Sequence, residues 1–173
     1  MQALAYWKAV TQDHADFLEE FLSMLVENGI RYCVIGGQGV NAYAEPLVSL
    51  DLDVAVVTED LERVERLLAG RFHVERFEHS INASADESAL RVQIQTDLRY
   101  AAFVARAQPR NVLGVTLQVA AVEDVLQGKL WAFLDDTRRR SKRQKDLADI
   151  GRLIEAYPQL RERVPREVLD RLV

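Results

Sequence analysis

The chain carries a single cysteine, Cys33, so no internal disulfide is possible and a reducing compartment fits. Its three histidines, His14, His73 and His79, are scattered without metal-ligand spacing and read as surface or capping residues. No apolar run is long enough to span a bilayer. The N-terminal Met-Gln-Ala-Leu-Ala-Tyr-Trp-Lys lacks a basic start followed by an apolar stretch, so no signal peptide is expected and the reading is of a cytoplasmic protein without a membrane partner. A basic excess is also missing. The net charge of −5 argues against broad, nonspecific nucleic-acid binding and leaves room only for a local basic patch. No nucleophile elbow, Walker sequence, zinc pattern, internal repeat or low-complexity segment is found.

What is present is an ordinary globular composition: 173 residues, 49% apolar and 28% charged, a length that suits one domain with a real core. Phe17, Leu18, Phe21, Leu22, Leu25 and Val26 have helical spacing within residues 14–28, and Gly29 is a natural stop. Arg31 to Ile35 is a short β-prone run, residues 38–44 suit a short helix, and Pro46 marks a loop. Asp51 to Val57 reads as a second strand. Thr58 stands where a helix cap would, before a helix ending at Gly70. Residues 71–77 suit a third strand and Ser80–Ser88 a loop. Leu90, Val92 and Ile94 alternate with Arg91, Gln93 and Gln95 in a half-buried strand. Residues 100–105 suggest another strand, Gln108 to Asn111 a turn, and Gly114 to Ala120 a strand. Helices follow at about 122–134 and 141–156, with a short piece after Pro165. The expectation is one α+β domain over 1–173, with an α/β part to about 120 and a helical part beyond.

Two features carry chemistry. Asp51 and Asp53, two apart on a strand, project from one face while Leu52 and Val54 face the core. Adjacent carboxylates raise each other's pKa unless a cation lies between them, and hard oxygen ligands suit Mg²⁺. The plainer alternative is a solvated pair on an exposed strand face. Gly36-Gly37 follows a strand and opens a helix, where the backbone can turn sharply and admit a phosphate. A glycine turn beside an Asp-x-Asp strand pairs a phosphate cradle with a metal holder.

The stretch Val34 to Tyr43 (Val-Ile-Gly-Gly-Gln-Gly-Val-Asn-Ala-Tyr), followed by Ser49-Leu-Asp-Leu-Asp-Val-Ala-Val56, resembles the opening motif of the nucleotidyltransferase superfamily. Glu123 to Ala132 and Lys142 to Ile150 resemble later motifs of its AbiEii type, many members of which are toxins of toxin–antitoxin or abortive-infection systems. The resemblance covers roughly residues 30–155. It implies a nucleotidyltransferase-fold mixed sheet flanked by helices, with a C-terminal helical segment. It implies nucleotide phosphates held by Gly36 and Gly37, with Ser49 also touching phosphate, Lys129 and Lys145 contacting phosphate or orienting the carboxylates, and Mg²⁺ on Asp51 and Asp53. It further implies a nucleoside triphosphate substrate, an acceptor hydroxyl on tRNA, protein or a small molecule, and a cognate antitoxin. Lys129 also fits a solvated helix position, and Asp149 a buried ion pair.

Members of this class carry a third carboxylate on a neighbouring strand. On the strand 90–97 the matching positions are Arg91, Gln93, Gln95 and, at the strand end, Asp97: either Asp97 is the third catalytic carboxylate or a glutamine, which brings no charge and cannot be a base, has replaced it. An arginine that the family places two residues before the Ser/Thr position is Leu47 here. Arg138 to Lys145 holds six basic residues in eight and begins a helix, where cations are disfavoured, so a role in binding triphosphate or an RNA acceptor is considered. Two functions follow: a Mg²⁺-dependent nucleotidyltransferase, and a non-catalytic module of the same fold that binds a nucleotide or partner protein.

Overall fold

The computed structural model describes residues 2–13 and 16–172, so His14 lies outside the described residues. The helices are α1 (Gln2–Thr11), α2 (Phe17–Glu27), α3 (Gly36–Asn41), α4 (Leu61–Ala69), α5 (Val122–Leu134), α6 (Arg140–Ala156) and α7 (Arg166–Leu169). The strands are β1 (Tyr32–Ile35), β2 (Asp51–Val56), β3 (His73–Arg76), β4 (Ser80–Ser84), β5 (Arg91–Gln95), β6 (Gln108–Val112) and β7 (Val115–Val119). They form one sheet in the order β3-β4-β5-β2-β1-β7-β6. β2 runs parallel to β5 and β1 parallel to β7; the remaining pairs are antiparallel. No helix among the described residues is long and apolar enough to cross a membrane.

Strand alternation sorts the core into two layers. Val34, Leu52, Val54, Val92 and Ile94 point to one face and bury Phe17, Phe21 and Leu25 of α2 with Val64 and Leu68 of α4. Cys33, Ile35 and Ala55 point to the other, against Leu126, Leu130 and Phe133 of α5 and Ile150 and Leu153 of α6. The residues that share parity with Ala55 are Asp51 and Asp53, so both project toward the α5–α6 side. Leu52 and Val54 are fully buried on the opposite side, as the alternation predicts.

Four expectations are corrected. Ser80–Ser88 is not wholly a loop: β4 pairs with both β3 and β5, because Ile81 and Ala83 alternate into the core despite small polar neighbours. Residues 100–105 are not a strand but part of a 3₁₀ segment, Leu98–Arg106, started by the Asp97 carboxylate accepting from the Arg99 N–H. Gln108 to Asn111 is not a turn but most of β6, an edge strand where Pro109 costs little because one side of the backbone faces solvent. Thr58 opens a 3₁₀ turn without capping through its side chain, and the α-helix begins at Leu61. Helix α1 has no counterpart among the expected elements. It is anchored by Trp7, which is buried and donates its indole N–H to the Val112 carbonyl at 3.0 Å.

Candidate functional site

The antiparallel register of β1 and β2 sets Ile35 opposite Asp53, so the turn after β1 lands beside that carboxylate. Gly36 makes the turn at φ 64°, in the left-handed region that favours glycine. A Cβ at Gly36 would lie 2.2 Å from Asp53 Oδ2, so only a residue without a side chain can pass there. Gly37 sits one step away, next to Ser49: a Cβ on Gly37 would be 3.9 Å from the Ser49 hydroxyl. The Ser49 hydroxyl also accepts from the Asp51 N–H at 3.3 Å, and Gln38 and Asn41, both buried, hold the incoming loop through the carbonyls of Ser49 and Leu47.

On its other side β2 faces β5. Asp51 is registered with Arg91 and Asp53 with Gln93. Arg91 Nε donates to Asp51 Oδ1 at 2.8 Å. Between the sheet and α5 lies a cleft of about 110 Å³, lined by Ile35, Gly36, Asp53, Ser80, Gln93, Gln95, Tyr100, Gly128, Lys129, Ala132, Arg138 and Asp146. Burial pushes the Asp53 pKa up to about 6. The Lys129 ammonium opposes that rise and Asp51 adds to it.

The back wall is an ion network. Lys129 Nζ lies 3.1 Å from Asp146 and 2.8 Å from Asp149, and Arg138 Nε lies 2.7 Å from Asp146. Burial pulls the Lys129 pKa down, but Asp149 and Asp146 outweigh it and hold it above the ordinary lysine value. Arg152 extends the network from Asp149 to the Asn41 side chain and the Glu45 carbonyl. Asp149 is thus in an ion pair, half-buried rather than fully buried, that ties α6 to α5.

The structure gathers Gly36, Asp53 and Lys129 around the cleft, with Asp51 on the same sheet face and Gly37 and Ser49 at one edge. It does not bring Asp97 there. That carboxylate caps the 3₁₀ segment and is clamped by Arg99 at 2.7 Å, which holds its pKa below the usual range. Asp97, the expected third carboxylate, does not line the cleft: β5 ends at Gln95, and the residue opposite Asp53 is Gln93. Lys145 is exposed on α6 and does not line the cleft. From the basic run it is Arg138 that reaches the cleft. Arg140 and Arg143 instead border a separate groove with Arg171. Arg138 and Tyr100 do not stand out in the sequence, since one lies inside an undifferentiated charge run and the other on a stretch that reads as a strand.

Among the described residues no cluster of three or more His, Cys, Asp or Glu is placed to hold a metal ion. The donor set still fits a hard divalent cation. Asp51 and Asp53 offer carboxylates on one face, no hydrogen bond to the Asp53 carboxylate occurs among the described residues, and Gln93 adds a neutral carbonyl oxygen.

The family described as "Nucleotidyl transferase AbiEii toxin, Type IV TA system" matches residues 47–172, well over half of the chain. The protein belongs to the AbiEii nucleotidyltransferase family. The matched span holds Asp51, Asp53, Gln93 and the Lys129–Asp146–Asp149 network, and begins after the glycine turn. No curated protein sequence matches the chain. Among solved structures, the chain is similar to ANT(2'')-Ia in complex with adenylyl-2''-tobramycin, with 12% identity and a TM-score of 0.54 over 85% of this chain and 96% of that one. The lincomycin-bound lincosamide antibiotic adenylyltransferase LnuA is also similar, with 12% identity and a TM-score of 0.51 over 80% and 97%. So is an antigenic nucleotidyltransferase-like protein from Paracoccidioides brasiliensis, with 16% identity and a TM-score of 0.50 over 84% and 77%. At these identities the three share the fold, a mixed sheet with flanking helices. That agrees with the family assignment.

Proposed function

We propose that the protein transfers a nucleoside monophosphate from a nucleoside triphosphate to an acceptor hydroxyl, with pyrophosphate leaving, and that it serves as the toxin of a cytoplasmic toxin–antitoxin pair. The observation that carries this reading is the closeness of Gly36 to Asp53, which puts an open backbone turn and a half-buried carboxylate at one mouth of a cleft backed by Lys129 and Arg138. Asp51 and Asp53 would hold Mg²⁺, with the Gln93 carbonyl beside them. When bound, the cation neutralises charge developing on the transferred phosphate. Gly36, Gly37 and Ser49 would admit phosphates at the end of β1, beside Asp53. Lys129 stays charged, because two carboxylates hold its proton, and supplies positive potential to the cleft. Arg138 does the same from the far wall. The acceptor is tRNA, a protein hydroxyl or a small molecule; ANT(2'')-Ia and LnuA, with their antibiotic ligands, make the last a concrete candidate for screening.

A second reading, a module that binds a nucleotide or partner protein without turnover, is favoured by Gln93. It stands opposite Asp53 and can neither add charge nor accept a proton as a base. One assay separates the two. The protein is incubated with each labelled nucleoside triphosphate, Mg²⁺ or Mn²⁺, and total RNA or lysate, beside Asp51→Ala/Asp53→Ala. Label transfer that disappears in the double variant supports the enzyme. No transfer or pyrophosphate release with any nucleotide overturns it.

A further inference from the structure

We propose that Arg91 is the resident counter-ion of Asp51 in the free protein, and that it must withdraw for a divalent cation to bind, so that Arg91 sets the cation affinity of the site. The inference rests on reading Asp51 and Asp53 as a cation-holding pair. The parallel register of β2 and β5 brings Arg91 opposite Asp51 and leaves the uncharged Gln93 opposite Asp53. The Arg91 Nε to Asp51 Oδ1 distance is 2.8 Å. The two cations that line the cleft are engaged elsewhere: Lys129 with Asp146 and Asp149, Arg138 with Asp146. Asp51 therefore already has a cation of the chain itself on one of its two carboxylate oxygens.

The arginine is built to leave. Its side chain is 58% exposed against 27% for Asp51, so it can swing into solvent without unpacking the core. An ion pair this open to water is weak and screened, and a divalent oxygen-seeking ion displaces it readily. While the guanidinium stays, it also repels an incoming cation. Removing it frees Asp51 and lifts that repulsion, so both effects act in the same direction.

The test is direct ion binding to the full chain without nucleotide, with Mn²⁺ followed by loss of the free-ion EPR signal. Arg91→Gln is expected to bind Mn²⁺ roughly three- to tenfold more tightly than wild type, the range an exposed ion pair supports. Arg91→Lys, which keeps the charge, is expected to stay within about twofold of wild type on the same reasoning. Asp51→Asn is expected to abolish the gain from Arg91→Gln. If wild type takes up Mn²⁺ and Arg91→Gln binds it no more tightly, the counter-ion role is overturned while the cation-holding reading stands. A gain with Arg91→Lys as large as with Arg91→Gln also overturns it, because charge is then not the cause. No Mn²⁺ uptake by either wild type or Arg91→Gln overturns the cation-holding reading, and this proposal with it.

Discussion

Replacing Asp53 with asparagine should stabilise the cation-free protein at neutral pH. Burial and the neighbouring Asp51 push the Asp53 pKa from the ordinary carboxylate value of 3.8 to about 6. The folded state therefore keeps the proton over a pH range in which the unfolded chain has already lost it. The sign follows from proton linkage: stability falls as pH rises through this window, and above pH 6 the full cost of the buried charge is present. Two pKa units correspond to about 3 kcal/mol, an upper bound because the cleft is open enough to hydrate. An asparagine side chain carries no charge and escapes that cost. In urea unfolding at pH 8 with chelator present, Asp53→Asn should exceed wild type by about 1–3 kcal/mol, and the melting temperature should rise by roughly 2–4 °C per kcal/mol for a chain of this size. Near pH 4, where the wild-type carboxyl is also neutral, the difference should vanish. Mg²⁺ added at pH 8 should stabilise wild type and leave Asp53→Asn unchanged, which narrows or reverses the gap. An asparagine variant that is equal to or weaker than wild type at pH 8 without cation, or a difference that does not change with pH, would refute the argument.

Gly36→Ala should weaken binding of a nucleoside triphosphate at least about tenfold and cost about 1–3 kcal/mol in chemical denaturation, because the new Cβ meets Asp53 Oδ2 at 2.2 Å and the φ of 64° strains any side chain. Lys129→Met should lose about 1–3 kcal/mol of stability, because Asp146 and Asp149 lose their shared cation while each keeps an arginine, Arg138 and Arg152. Adding Asp149→Asn should recover part of that loss, which a double-mutant cycle measures. Asp97→Ala should reduce labelled-nucleotide transfer far less than Asp53→Ala, and its main effect should be about 1 kcal/mol of stability from the lost 3₁₀ cap and its ion pair with Arg99. Equal loss of transfer in both variants would return Asp97 to the site.

The parts of the site that are local in sequence can be read from it. Alternation alone places Asp51 and Asp53 on one face and Leu52 and Val54 on the other, and a glycine pair between a β-prone run and a helix marks a tight turn. The nearness of the two motifs is not local. It depends on Ile35 pairing with Asp53, and no spacing rule specifies that register. The same limit explains the strand that reads as a loop. Ser80–Ser84 has little β propensity of its own, and it becomes β4 because β3 and β5 present a hydrogen-bonding edge on each side and room for Ile81 and Ala83.

The third carboxylate makes the point most sharply. Arg91, Gln93, Gln95 and Asp97 all share one parity, so parity cannot say which of them meets Asp53. Register decides in favour of Gln93, and the end of β5 turns Asp97 away into a cap. The face then carries two carboxylates from β2 and, from β5, one arginine and one amide. Such a face holds a cation less tightly than three carboxylates would, and it begins with Asp51 already paired to Arg91. On the proposed reading, turnover rests on Asp51 and Asp53 together with what β5 sets across from them, Arg91 and Gln93.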